Sequence, residues 1–152
     1  MTNERTSASC RCGKVELQIV EAPILRGICY CTSCQKAGRQ HQAVPGADAA
    51  LAEDGGTDYV LYRKDRVRCV QGGDLFEERR LKPSSPTRRM YARCCNTAMF
   101  LDFTKGHWLT VYRGRLPNDM PNYAGGSAKF MLKLLGAWIA MGFRRPAIGG
   151  VP

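Results

Sequence analysis

The sequence predicts a mainly β domain of packed antiparallel sheets, followed by a single C-terminal helix. Three observations carry this expectation. Residues 14–20 set Lys14, Glu16 and Gln18 against Val15, Leu17 and Ile19, the period-2 signature of a half-buried strand. Between residues 59 and 113 six short β-prone runs recur with turn residues between them, the pattern of a domain built from packed sheets. Beyond Pro117 the pattern changes to one apolar segment far longer than any strand run.

Taken in order, residues 1–9 are polar and read as a flexible N-terminus. The strand at 14–20 follows, Pro23 interrupts it, and residues 24–30 form a second strand that runs into a cysteine group. Pro45, Gly46, Asp54, Gly55 and Gly56 mark turns around an Ala-rich segment. Strand runs then fall at 59–62, 67–71, 75–81, 88–91, 99–103 and 108–113. The pair Gly72-Gly73 between two of them predicts a hairpin. Residues 117–126 are a Pro/Gly/Asn-rich connector, and Ser127 is placed to cap a helix through Lys129 to about Phe143. Lys129 and Lys133 lie one turn apart, and Phe130, Met131, Leu132, Leu134, Leu135, Trp138, Ile139 and Met141 make the rest of the circumference apolar. Such a surface needs a partner. Its own domain is the first expectation, a homodimer through this helix the second, and a membrane surface the third. The domain layout is therefore a flexible segment over 1–9, a β domain over 10–116, and a connector with a packed helix over 117–152.

Composition narrows the class. The chain has 152 residues, 44% hydrophobic and 24% charged, the balance of one globular domain. Its longest apolar stretch, residues 134–143, is broken by Gly136 and Gly142 and is about half a membrane span. No membrane span and a cytoplasmic location are expected. The net charge is +10, distributed unevenly. Residues 1–62 hold 6 bases and 7 acids, residues 63–93 hold 10 and 4, and residues 94–152 hold 7 and 2. A basic second half attracts anions such as nucleic acid, acidic headgroups or small carboxylates, or it is simply a solvated face.

Eight cysteines stand at 10, 12, 29, 31, 34, 69, 94 and 95. Adjacent and one-residue spacings suit disulfides poorly, and in a reducing compartment clustering points to metal. Zinc takes four ligands in structural sites, but three protein ligands plus an open position where chemistry is done. Cys29, Cys31 and Cys34 offer three thiolates within six residues and no adjoining fourth ligand, the composition of an open, catalytic site. Cys10 and Cys12, joined by Cys95 and by Cys94 if the chain turns there, suit a second, closed site. One zinc or two per chain both fit. Cys69 reads as a buried small hydrophobe. His41 and His107 read as surface or packing residues, His41 being the nearer in sequence to the three-thiol group.

The ordered pattern Cys10-x-Cys12-Gly13, Cys29-x-Cys31-x-x-Cys34 and a late cysteine turn resembles the glutathione-dependent formaldehyde-activating enzyme family, over residues 10–103. The resemblance implies a β-tent with zinc-bearing turns. It implies a structural zinc on Cys10, Cys12 and Cys95 with one further late cysteine, and a catalytic zinc on Cys29, Cys31 and Cys34. It also implies a carbon–sulfur lyase that joins formaldehyde, or a small aldehyde, to the thiol of glutathione. The sequence differs from the family pattern at three places. Ala92 stands where the fourth structural cysteine is expected, Tyr30 where His is common, and Asn96-Thr97 where Gly-Ser or Gly-Thr is usual. Cys94 either replaces the missing ligand, faces the other site, or marks the loss of one zinc. The competing reading is a non-catalytic zinc module, a thiol carrier or a nucleic-acid-binding protein, for which the +10 charge speaks.

Overall fold

The computed structural model describes residues 4–118 and 127–152, the last segment without side chains for 127–130. Residues 1–3, most of the expected connector at 117–126, and the capping role read for Ser127 thus lie outside the described residues. In order, the described elements are β1 (Arg5–Ser9), β2 (Glu16–Val20), β3 (Leu25–Cys29), α1 (Thr32–Gln42), β4 (Thr57–Arg63), β5 (Val67–Gln71), β6 (Phe76–Arg79), β7 (Thr87–Ala92), β8 (Thr97–Phe103), β9 (Trp108–Tyr112) and α2 (Ser127–Ala140). The strands form two antiparallel sheets, β1-β2-β5 and β3-β4-β9-β8-β7-β6. This is the mainly β architecture of packed antiparallel sheets that the sequence predicts, here two in number.

The large sheet is buried on both faces, which explains why β4 and β8 read as nearly continuous apolar runs rather than alternating ones. Successive residues of one strand serve different layers. Val60 and Tyr62 of β4 join Leu17 and Ile19 of β2 in the core between the sheets. Tyr59 and Leu61 point the other way, to a second cluster with Leu25, Cys34, Leu101, Tyr112 and Leu134. The period-2 geometry of the strand thus links the inter-sheet core to the layer that holds α1 and α2.

Three local expectations change. Residues 5–9, expected to be flexible, form strand β1, paired with β2 from Arg5 opposite Val20 to Ser9 opposite Glu16. Only Ala8 is buried there among hydrophobic residues, so backbone pairing and the Ser7 Oγ to Glu16 bond of 2.8 Å carry a segment too polar to announce itself. Residues 32–42 form α1, which no apolar period signals. Its buried stripe is Cys34, Ala37, Gly38 and His41, small or polar residues at helical spacing. Gly72-Gly73 does not close a hairpin, because β5 pairs with β2 while β6 pairs with β7. The two glycines carry the chain from one sheet to the other through a short 3₁₀ turn, Gly73–Leu75.

That crossing point is sterically tight. Gly72 has φ +74°, and a Cβ there would lie 2.2 Å from the Lys14 carbonyl oxygen. Gly72→Ala is expected to cost about 2 kcal/mol or more, combining a left-handed backbone with a clash against backbone. A urea melt with unchanged stability would show that the strand junction relaxes freely.

The helix α2 rests on the large sheet by one side. Leu134 and Met141 are buried, His107 Nε2 donates to the Leu134 carbonyl oxygen at 2.7 Å, and the His107 ring stacks on Trp138 with centroids 5.6 Å apart. Burial, the dominant effect, pushes the His107 pKa below its usual range. Met131, Leu132, Leu135, Ile139 and Phe143 remain exposed. No helix among the described residues is long and apolar enough to cross a membrane. The C-terminal segment returns to the small sheet, where Cys69 N donates to the Gly149 carbonyl oxygen at 2.8 Å and Ile148 enters the core, covering an otherwise open strand edge.

Candidate metal centres

Two thiol groups gather in the folded chain, and together they contain every cysteine singled out as a ligand. In the first, Cys10 follows β1 and begins a turn that Gly13, at φ +78°, completes. Cys94 and Cys95 sit in the turn between β7 and β8, where Asn96 takes a left-handed φ of 50°. This reversal lets adjacent cysteines face one point, which extended chain forbids. The Sγ–Sγ separations are 3.6 Å for Cys10–Cys12, 3.9 Å for Cys10–Cys94, 3.4 Å for Cys12–Cys94 and 3.9 Å for Cys94–Cys95. Zinc–sulfur bonds of about 2.3 Å in a tetrahedron require edges of about 3.8 Å. The donor set and its spacing therefore fit a closed tetrathiolate site. Cys94 completes this group of four thiols, while Ala92 is wholly buried in the core.

Neighbours brace this group. Arg11 lies between the first two cysteines and donates through Nε to Thr97 Oγ1 at 3.2 Å and through Nη2 to the Cys95 carbonyl oxygen at 2.6 Å, with a further bond to the Gly46 carbonyl. Thr97 Oγ1 lies 2.9 Å from Cys95 Sγ. The two adjacent cysteines of the late turn shift in opposite directions. Burial would raise the Cys95 thiol, but the Thr97 hydroxyl and the Cys12 N–H outweigh it and lower its pKa to about 6. Burial and the thiols of Cys12 and Cys10 push Cys94 up to about 12.

The second group is local. Cys29 ends β3, Cys31 is the N-cap of α1, and Cys34 lies in its first turn. Cys31 has an extended backbone (φ −65°, ψ 151°), and its Sγ accepts from Cys34 N at 3.4 Å. The ligand atoms of the three lie within 4.8 Å of one another, and no other His, Cys, Asp or Glu among the described residues joins them. A helix N-terminus favours negative sulfur. Burial acts against the Cys31 thiolate, yet the Cys34 and Ser33 N–H groups and the neighbouring thiols bring its pKa below the usual thiol value. Cys34 is pushed up to about 12, first by burial and then by Cys31. The Tyr59 hydroxyl donates to Cys34 Sγ at 3.6 Å, and Gln35 Nε2 donates to the Tyr30 carbonyl oxygen at 2.7 Å. A groove of about 570 Å³, walled by Leu25, Ile28, Leu61, Leu101, Trp108 and Met131, opens onto Cys29 and Cys34.

The remaining candidates fall outside both groups. His41 is buried, with Nε2 2.6 Å from Asp48 Oδ1 and its ring 4.6 Å from that of Tyr91. His107 serves α2, and Cys69 packs against the core. The sequence reading missed Tyr59, Arg11 and Thr97. Arg11 and Thr97 are adjacent to recognised cysteines or their turn, while Tyr59 reads from its pattern only as an inward strand residue.

The model of the family described as glutathione-dependent formaldehyde-activating enzyme matches residues 5–124. The chain belongs to this family. This formaldehyde-activating family member gathers Cys10, Cys12, Cys94 and Cys95 in one cluster, and Cys29, Cys31 and Cys34 in another, each able to hold a metal ion. A Rhodobacter sphaeroides protein of known crystal structure is similar in fold, with TM-score 0.53 and 15% identity, covering 76% of this chain and 91% of its own. No curated protein matches the sequence. Membership of the formaldehyde-activating family links the chain to glutathione and to formaldehyde as the substrates of its class.

Proposed function

We propose that this chain is a zinc-dependent enzyme of the carbon–sulfur lyase type that joins the thiol of glutathione, or a related thiol, to formaldehyde or another small aldehyde. The observation that carries this reading is the asymmetry of the two thiol groups. One group gathers four thiols, whereas the other gathers three and borders an apolar groove at Cys29 and Cys34. Closed thiolate sets hold structure, and three-ligand sets leave room for a reacting atom. Cys10, Cys12, Cys94 and Cys95 would hold the structural zinc, and Cys29, Cys31 and Cys34 the catalytic one, which as a Lewis acid supplies stabilisation of negative charge on sulfur or oxygen.

The chain's own residues do the rest. The α1 N-terminus supports the anionic form of Cys31, and the Tyr59 hydroxyl fixes the Cys34 sulfur. The apolar groove walls exclude water and hold the aldehyde carbon against the thiol, the proximity that makes a two-substrate addition fast. In the reaction a sulfur–carbon bond forms, the carbonyl π bond breaks, and the thiol proton ends on the former carbonyl oxygen. Arginines of the basic second half suit the two carboxylates of glutathione.

The test begins with protein purified untagged and without chelators. Elemental analysis is expected to give about two zinc ions per chain, one for each thiol group. Exchange spectroscopy by NMR is then expected to show faster interconversion of glutathione plus formaldehyde with S-hydroxymethylglutathione. Protein carrying both zincs that leaves this exchange at the uncatalysed rate for every aldehyde tried would overturn the proposal.

A further inference from the structure

We propose that the cavity between α1 and the paired strands β6 and β7 is a binding site for a small oxyanion, a carboxylate or a phosphate, anchored by Arg89. The cavity has a volume of about 440 Å³, and Gln40, His41, Glu77, Arg79, Arg80 and Arg89 are among the residues that line it. It contains none of the cysteines, so the inference stands apart from the metal chemistry.

The strand register creates the problem that an anion solves. Arg79 of β6 lies directly opposite Arg89 of β7, an arrangement of like charges that destabilises a strand pair. Arg79 is compensated: its Nε donates to Glu77 Oε1 at 2.8 Å, and its guanidinium lies 4.2 Å from the centroid of the Tyr91 ring. Arg80 is compensated by Glu78 and by the Ser85 carbonyl, each at 2.5 Å. Arg89 is not. It is only 4% exposed, its Nε is buried without an acceptor, and its side chain makes no hydrogen bond or ion pair with a described residue, Tyr91 and Tyr112 being its electrostatic neighbours.

A buried guanidinium without an acceptor is among the costliest arrangements in a protein interior. Native chains keep such groups where something outside the chain supplies the acceptor. The rest of the lining agrees in charge. Three guanidiniums face one carboxylate, Glu77, which Arg79 already holds. His41 Nε2 is directed at Asp48, and its Nδ1 lies 3.3 Å from Arg79 Nη1. The fork of an arginine matches two oxygens of a carboxylate or phosphate side by side. The volume suits a small ligand rather than a length of polymer.

The experiment is a thermal melt of the full chain in inorganic phosphate and, separately, in succinate, with chloride holding ionic strength constant. Saturable stabilisation is expected with at least one anion by about 10 mM. The responding anion identifies phosphate or carboxylate as the ligand class. In Arg89→Met the apparent affinity is expected to fall about tenfold or more, while the anion-free protein melts no lower than the parent. Arg80→Met, at the partly exposed rim, provides a second reading and is expected to weaken the same response. Absence of saturable stabilisation by either anion, or a response unchanged in both variants, would overturn the proposal.

Discussion

Cys31→Ser is expected to lower kcat/KM for glutathione plus formaldehyde on the order of a thousandfold or more, with little change in melting temperature. The two halves of this expectation have separate causes. Cys31 is exposed and acts locally as the N-cap of α1, accepting from Cys34 N. Serine is a favoured N-cap, so the hydroxyl takes over that bond and the helix start survives. A neutral hydroxyl does not replace a thiolate toward zinc, and two remaining sulfurs do not retain the ion. Paired measurements of exchange rate and melting curve check both halves together. A variant that stays fully active would remove Cys31 from the site, and one that fails to fold would make the three-thiol group structural.

The opposite split is expected for Cys10→Ser. Cys10 is buried in the inter-sheet core, and its group ties the turn after β1 to the turn between β7 and β8. Losing a metal present at about a thousand times its dissociation constant removes about 4 kcal/mol. For a domain of this size that corresponds to a fall on the order of 10 °C in melting temperature. Elemental analysis of the variant is expected to show one zinc fewer. An unchanged melting temperature would mean that hydrophobic packing alone holds the two turns together.

These contrasts rest on features that were unequally visible in the sequence. The strand at residues 14–20 and the run at residues 67–71 were legible because one face of each is polar or irregular, which leaves a pattern to read. The two cysteine groups were legible because their ligands cluster at turns. What remained hidden was decided by pairing at a distance. α1 buries small residues against Leu51, whose side chain would lie 2.5 Å from a Cβ on Gly38, so close packing rather than apolar period makes the helix. The role of Cys94 depends on the left-handed turn at Asn96 and on a register irregularity between Met90 and Tyr91, neither of which residue types announce. The isolation of Arg89 follows from a strand register that only the folded chain displays.

The thiol groups also differ in how far apart their members lie along the chain. Cys10 and Cys94 are 84 positions apart, whereas Cys29, Cys31 and Cys34 lie within a single strand-to-helix junction. During synthesis the local trio is complete long before the last two members of the quartet emerge. Loop closure over the longer span is also entropically costlier. Metal arriving on a growing chain would therefore meet the three-thiol group first, and an ion held by the quartet would be the later acquisition, gained only as the native topology closes. Uptake of the second equivalent would then report the completion of folding, while uptake of the first reports only that its short segment exists.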